Sequence, residues 1–173
     1  MISIVKPTKP FEQLTTQLFT WKSGRRTEDR FNKSEIMATT GRVLREESSF
    51  VEGPQMLSNG ALYATNCVSL STAAAEMKAT ASCNTKCTIP AFPFLLSWDA
   101  NEHPSNDEVI SCINRCLNHP GMDEHQYIYG VFRPEGRIYA RVIVNRVHPV
   151  TFKAASIYNS VFTLRDACSQ DNA

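Results

Sequence analysis

The chain has 173 residues, 42% of them hydrophobic and 20% charged, with a formal net charge of +1. That size is one domain with room for a real core, and the composition is ordinary for a soluble globular fold. A charge near zero predicts no polyanion partner by itself. No apolar run approaches the roughly 20 residues that span a bilayer, and the opening MISIVKPTKP is too short in its apolar part for a signal peptide. The expectation is a cytoplasmic protein with no membrane partner.

Taken in chain order, Ile2 to Val5 reads as a short strand closed by Pro7 and Pro10. Phe11, Leu14, Leu18 and Trp21 recur at helical spacing and predict a first helix over 11–21. Residues 22–58 are polar and weakly patterned, loop-rich or mobile, with one helix candidate around Phe31 to Leu44. Ala61 to Val68 reads as a strand, followed by a helix over 71–81 with Ser71 or Thr72 as its cap. Cys83 to Pro90 is a loop, and Phe92 to Trp98 is a continuous apolar run, as in a strand buried on both faces. A helix over 105–118 is capped by Ser105, has acids in its first turn and ends at Pro120-Gly121. Strands over 126–132 and 137–147 then flank the turn Arg133-Pro134-Glu135-Gly136, and a last helix covers 161–169. The order, with a hairpin at its centre, is that of an α+β fold over a single domain, 1–173, and not of a doubly wound parallel one.

Charge is segregated. Between Trp98 and Glu124 six acids face one base, Arg115; between Val131 and Lys153 five bases face one acid, Glu135. Lys22, Arg25, Arg26, Arg30 and Lys33 add a second basic group. Such a distribution makes a basic surface on a near-neutral protein, although a charge run is also what any solvated face carries. Cys83-x3-Cys87 and Cys112-x3-Cys116 share a spacing that structural zinc sites allow. Reduced thiols buried on a helix face account for the second pair equally well.

Four segments in order, "TNC" at 65–67 with "STAAAEM" at 71–77, "FPFLLSW" at 92–98 with "EHPS" at 102–105, "EHQYIYGV" at 124–131 and "VNRVHP" at 144–149, carry a resemblance. Together they resemble the relaxase domain of conjugative and mobilisable plasmids, the MOBP branch of the HUH endonucleases, and within it the NikB-like relaxases of IncI-type plasmids. "FEQL" at 11–14 matches the family's opening helix more loosely. The resemblance implies a central, mainly antiparallel sheet flanked by helices. It also implies a tyrosine that attacks a DNA phosphodiester and three histidines that hold a divalent metal. Two of those histidines alternate along one strand, because alternate residues share a face.

Laid on the family's pattern, the three ligand positions fall on Phe132, Tyr139 and Arg141, and the nucleophile position falls on Gln17. A second register, starting from Phe31, would place Met37 there instead; either way the first tyrosine in the chain is Tyr63. On this reading the chain is not an enzyme, has no catalytic residue and takes no metal or cofactor, because removing members of a catalytic unit costs orders of magnitude in rate. His125 and His148 lie inside matching motifs but flank the implied site.

Three functions follow as alternatives, since fold does not fix function. The first is an inactive relaxase homologue that binds DNA, single-stranded or an origin hairpin, as a relaxosome accessory. Its contacts would be Arg25, Arg26, Arg133, Arg137, Arg141 and Arg146, with Tyr139 or Phe132 stacking on a base. The second is a protein-interaction module that docks a relaxase or the secretion machinery, with the acidic helix over 105–118 as its surface. The third is an enzyme of altered chemistry.

Overall fold

Eight successive residues, Ile138–Asn145, are all buried or half-buried, which requires a packed layer on each side of the strand they form. The computed structural model describes residues 2–4, 9–19, 53–57 and 60–169. Among these, the elements are β1 (Ile2–Ile4), α1 (Phe11–Phe19), β2 (Gln55–Met56), β3 (Leu62–Thr65), α2 (Ala73–Ser82), β4 (Ala91–Trp98), α3 (Asn106–Asn118), β5 (Tyr127–Phe132), β6 (Ile138–Asn145) and α4 (Ser160–Ser169). The strands form one six-stranded sheet in the order β1-β4-β6-β5-β3-β2, and every neighbouring pair is antiparallel. The protein is therefore α+β, with helices on both faces of a central antiparallel sheet.

Period-two alternation sorts the strands into two cores. Phe92, Phe94, Leu96, Tyr129, Val131, Ala140, Val142 and Val144 point to the side covered by α3 and α4. Tyr63, Ala91, Ile128, Phe132 and Ile143 point to the side covered by α1 and α2. Each amphipathic helix supplies the complementary stripe: Val109, Cys112, Ile113, Cys116 and Leu117 from α3, and Phe11, Leu14, Leu18 and Phe19 from α1.

The local signals act as the chain's chemistry dictates. Ser105 and Glu108 form a reciprocal capping box at the start of α3, the Ser105 hydroxyl accepting from the Glu108 N–H at 3.3 Å and the Glu108 carboxylate accepting from the Ser105 N–H at 2.7 Å. The Ser105 N–H and the Ser105 hydroxyl, both donating to that carboxylate, hold the Glu108 carboxyl below the ordinary carboxylate range. At the other end Gly121, with φ of 69°, lets the Met122 N–H turn back to the Leu117 carbonyl at 2.8 Å. The hairpin between β5 and β6 closes through a single 3₁₀ turn, Pro134–Gly136, in which Glu135 takes the left-handed region with φ of 51°.

Three expectations change. The strand predicted over 61–68 is shorter, Leu62–Thr65, because Asn66 leaves the ladder and bonds by its side chain instead. Thr72 occupies the N-cap of α2 without the side-chain bond a cap normally makes; its hydroxyl meets the Glu76 carboxylate instead. Within the stretch expected to be loop-rich, Gln55–Met56 pairs with β3 as an edge strand. The helix candidate around 31–44 and the last turn of the helix over 11–21 lie outside the described residues.

Candidate nucleic-acid interface

The hairpin β5–β6 turns one row of side chains toward α1. Phe132 and Tyr139 are direct cross-strand partners, and Arg141 lies opposite Gly130, two residues further along the same face. Gly130 is what lets that row pack. A β-carbon there would stand 2.8 Å and 2.9 Å from ring atoms of Phe132 and Tyr63, so both rings lie over bare backbone. Phe132 meets Tyr63 edge-on at 5.8 Å between centroids, and Tyr63 in turn meets Phe19 of α1 at 5.2 Å. Tyr139 remains half-buried at the mouth of the hairpin.

Arg141 is buried, and its Nη2 donates to the side-chain oxygen of Gln17 at 3.1 Å. Gln17 and Arg141 are 124 residues apart in sequence and meet in a hydrogen bond. Met37, the other candidate for the nucleophile position, lies outside the described residues. Gln17, Phe132, Tyr139 and Arg141 thus share one region.

Beside this region the matching motifs interlock through polar groups. Asn145 is fully buried: its amide donates to the Met77 carbonyl of α2 and to the Gln126 side chain, both at 3.0 Å, and its side-chain oxygen accepts from the Val147 N–H. His125 Nδ1–H donates to the Asn145 carbonyl at 2.8 Å, which fixes its tautomer. Burial is the main reason its pKa lies below the ordinary value, outweighing that bond. Asn66 bridges the same strand, donating to the His125 carbonyl at 2.9 Å and accepting from the Tyr127 N–H at 2.8 Å. His148 accepts from the Val150 and Thr151 N–H groups through Nδ1, donates to Glu124 through Nε2, and packs edge-on against His125. Sequence reasoning placed the two histidines beside the site but missed Asn66, Asn145 and Gly130; a polar residue ending an apolar strand was the available signal for Asn145. Burial pushes the Cys67 thiol up to about 11, so it is not a poised nucleophile.

The arginines are dispersed. Arg133, exposed at the hairpin, donates to the Pro104 carbonyl and to Asn106 at 2.7 Å, tying the hairpin to the start of α3. Arg146 gives its guanidinium to the carbonyls of Ala155 and Ile89 at 2.8 to 3.0 Å, clamping the segment after β6. Arg137 is exposed where β6 begins. Arg25 and Arg26 lie outside the described residues.

Phe132, Tyr139 and Arg141 do not fit a divalent ion. A phenyl ring has no donor atom, and a buried guanidinium beside the site is a fixed cation without a lone pair to give. The two cysteine pairs do not converge either: Cys83 and Cys87 follow α2, across the sheet from Cys112 and Cys116 on α3. What the fold brings to the α3 pair is Cys168 of α4, whose sulfur lies 3.2 Å from that of Cys112 and 3.5 Å from that of Cys116. Hydrogen bonds from Cys116 and Cys168 draw the Cys112 thiol well below its ordinary range and leave the other two protons tightly held.

Residues 50–171 match the family model of the relaxase MobA/VirD2-like nuclease domain. The chain belongs to that relaxase family. A stretch of 66 residues is 33% identical to Protein MobA of Acidithiobacillus ferrooxidans, covering 38% of this chain and 16% of that protein. No solved structure matches the relaxase chain. Family membership corrects one expectation. The reading as a non-enzyme is overturned, because the matched model is that of a nuclease domain. Among the described residues no helix is long and apolar enough to cross a membrane.

Proposed function

We propose that this relaxase-family domain binds single-stranded DNA during plasmid mobilisation, in the cytoplasm, with the β5–β6 hairpin and the end of α1 as its contact region. The observation that carries the reading is the Gln17–Arg141 hydrogen bond, which joins α1 to the hairpin beside the half-buried Tyr139. Arg141, buried and engaged, supports the floor of the region and lends it positive charge. Tyr139 offers a ring on which an unpaired base can stack. Arg137 at the hairpin's edge reaches a phosphate, and Arg25 and Arg26, in the chain after α1, extend the basic contribution.

The test is fluorescence anisotropy of labelled single-stranded and hairpin DNA at several salt concentrations. Binding should weaken steeply with salt, Arg137→Ala should lower the salt slope by about 1, and Tyr139→Ala should cost about 1–3 kcal/mol. No binding of either DNA at low salt would overturn the proposal. A second reading, docking of a relaxosome or secretion-system protein, is favoured by one observation. Val150, Tyr158 and Phe162 are 77%, 84% and 65% exposed on and before α4. Under that reading, serine at Tyr158 and Phe162 abolishes partner capture and leaves DNA binding unchanged.

A further inference from the structure

The thiol cluster between α3 and α4 has the makings of a site that the relaxase reading does not use. Cys112 and Cys116 are one helical turn apart on α3 and point at the same spot, and Cys168 approaches it from α4. The three sulfurs lie within 4.8 Å of one another. Tetrahedral zinc with Zn–S bonds near 2.3 Å requires sulfurs about 3.8 Å apart. The two separations to Cys168, 3.2 Å and 3.5 Å, need to open by only a few tenths of an ångström. We propose that Cys112, Cys116 and Cys168 bind one Zn²⁺ ion as thiolates, fastening α4 to α3.

Charge and access agree with this ligand. Three thiolates around a dication leave one net negative charge, and Arg115 supplies the balancing positive one. Its Nε donates to the Ala167 carbonyl at 3.2 Å, which holds the guanidinium next to Cys168. A surface cavity of about 460 Å³, lined by Trp98, Asp107, Ser111, Cys112 and Arg115 among others, opens beside Cys112. A fourth ligand such as water can enter there, as a three-ligand zinc site requires. The packing gives the ion a structural role. Helix α4 buries only Leu164 and Ala167 as apolar side chains in the core, so a metal bond to Cys168 would add much to its hold.

The reduced, metal-stripped chain is titrated with Co²⁺ as a spectroscopic stand-in and then with Zn²⁺. The expected result is one ion per chain, a thiolate-to-cobalt charge-transfer band that Zn²⁺ abolishes, and a higher Tm with metal than with a chelator. Cys168→Ser should weaken binding by more than the roughly 10–100-fold typical of losing an outer-shell partner, and Cys83→Ser with Cys87→Ser should leave it unchanged. Cys168 is only half-buried, so its serine variant should keep the far-ultraviolet circular dichroism of the parent. Cys112→Ser provides an independent check. The proposal is overturned if no charge-transfer band forms, if Cys168→Ser retains full affinity, or if the Cys83/Cys87 variant loses it. It is also overturned if the reduced chain takes up no ion while the oxidised chain carries a Cys112–Cys168 disulfide by mass spectrometry.

Discussion

The side of the sheet under α3 and α4 is packed with hydrocarbon and sulfur, whereas the side under α1 and α2 admits Arg141, Asn145 and Thr15 among its aromatic rings. The same strands build both, residue by alternate residue. On the apolar side a side chain needs only to fill space. On the other side each buried polar group needs a named partner: Gln17 for Arg141, Met77 and Gln126 for Asn145, Phe11 for Thr15. The difference teaches where sequence change is tolerated: volume governs one face, and geometry governs the other.

The largest expected effect tests the apolar side. Phe94 is 1% exposed, and Phe94→Ala should cost about 3–5 kcal/mol in urea denaturation, with DNA binding of the surviving folded fraction unchanged. Next, Gly130→Ala on the opposite side forces a methyl group into the rings of Phe132 and Tyr63. It should lose about 1–3 kcal/mol by overpacking, and adding Phe132→Leu should return part of the loss; strict additivity would show that the rings are not what Gly130 accommodates. Gln17→Ala removes an acceptor from a buried guanidinium and should cost about 1–2 kcal/mol, with Gln17→Glu restoring the bond. A Gln17→Ala protein as stable as the parent would mean that the polar side does not depend on this pair.

The smallest effect is in pH. Burial lowers the His125 pKa in the folded chain, so the unfolded chain binds the proton more readily. The stability tied to neutral His125 is present above the unfolded value of about 6.5 and is lost as pH falls toward the depressed folded one. Tm measured from neutral to mildly acid pH should therefore fall, and His125→Gln should flatten that part of the curve.

Much of this architecture was legible because local chemistry and tertiary packing agree. The capping box at Ser105 and Glu108, the apolar stripe of α3 and the two strands of the hairpin are each specified within a few residues. Asn66 was misread as part of a strand because its bonds go to His125 and Tyr127, some 60 residues away, and no local pattern reports such a partner. Gly130 was equally opaque, since the rings that require it come from β3 and from two residues further along β5. The candidate site was half legible. The family motifs pointed to Gln17, Phe132, Tyr139 and Arg141, and charge offered Arg141 and Arg146 as DNA contacts, but no local pattern reports that the Gln17 side chain engages the first and the carbonyls of Ala155 and Ile89 the second.

By itself, then, the sequence determined the α+β class, the succession of helices and strands and the family resemblance, because capping, periodicity and turn chemistry act over a few residues. Only the tertiary structure decided that Gln17 meets Arg141, that Arg146 clamps the chain after β6, and that Cys112 and Cys116 find Cys168 rather than Cys83 and Cys87. Those pairings depend on which face of the sheet each helix covers, and the crossover of the chain sets that over separations of tens of residues.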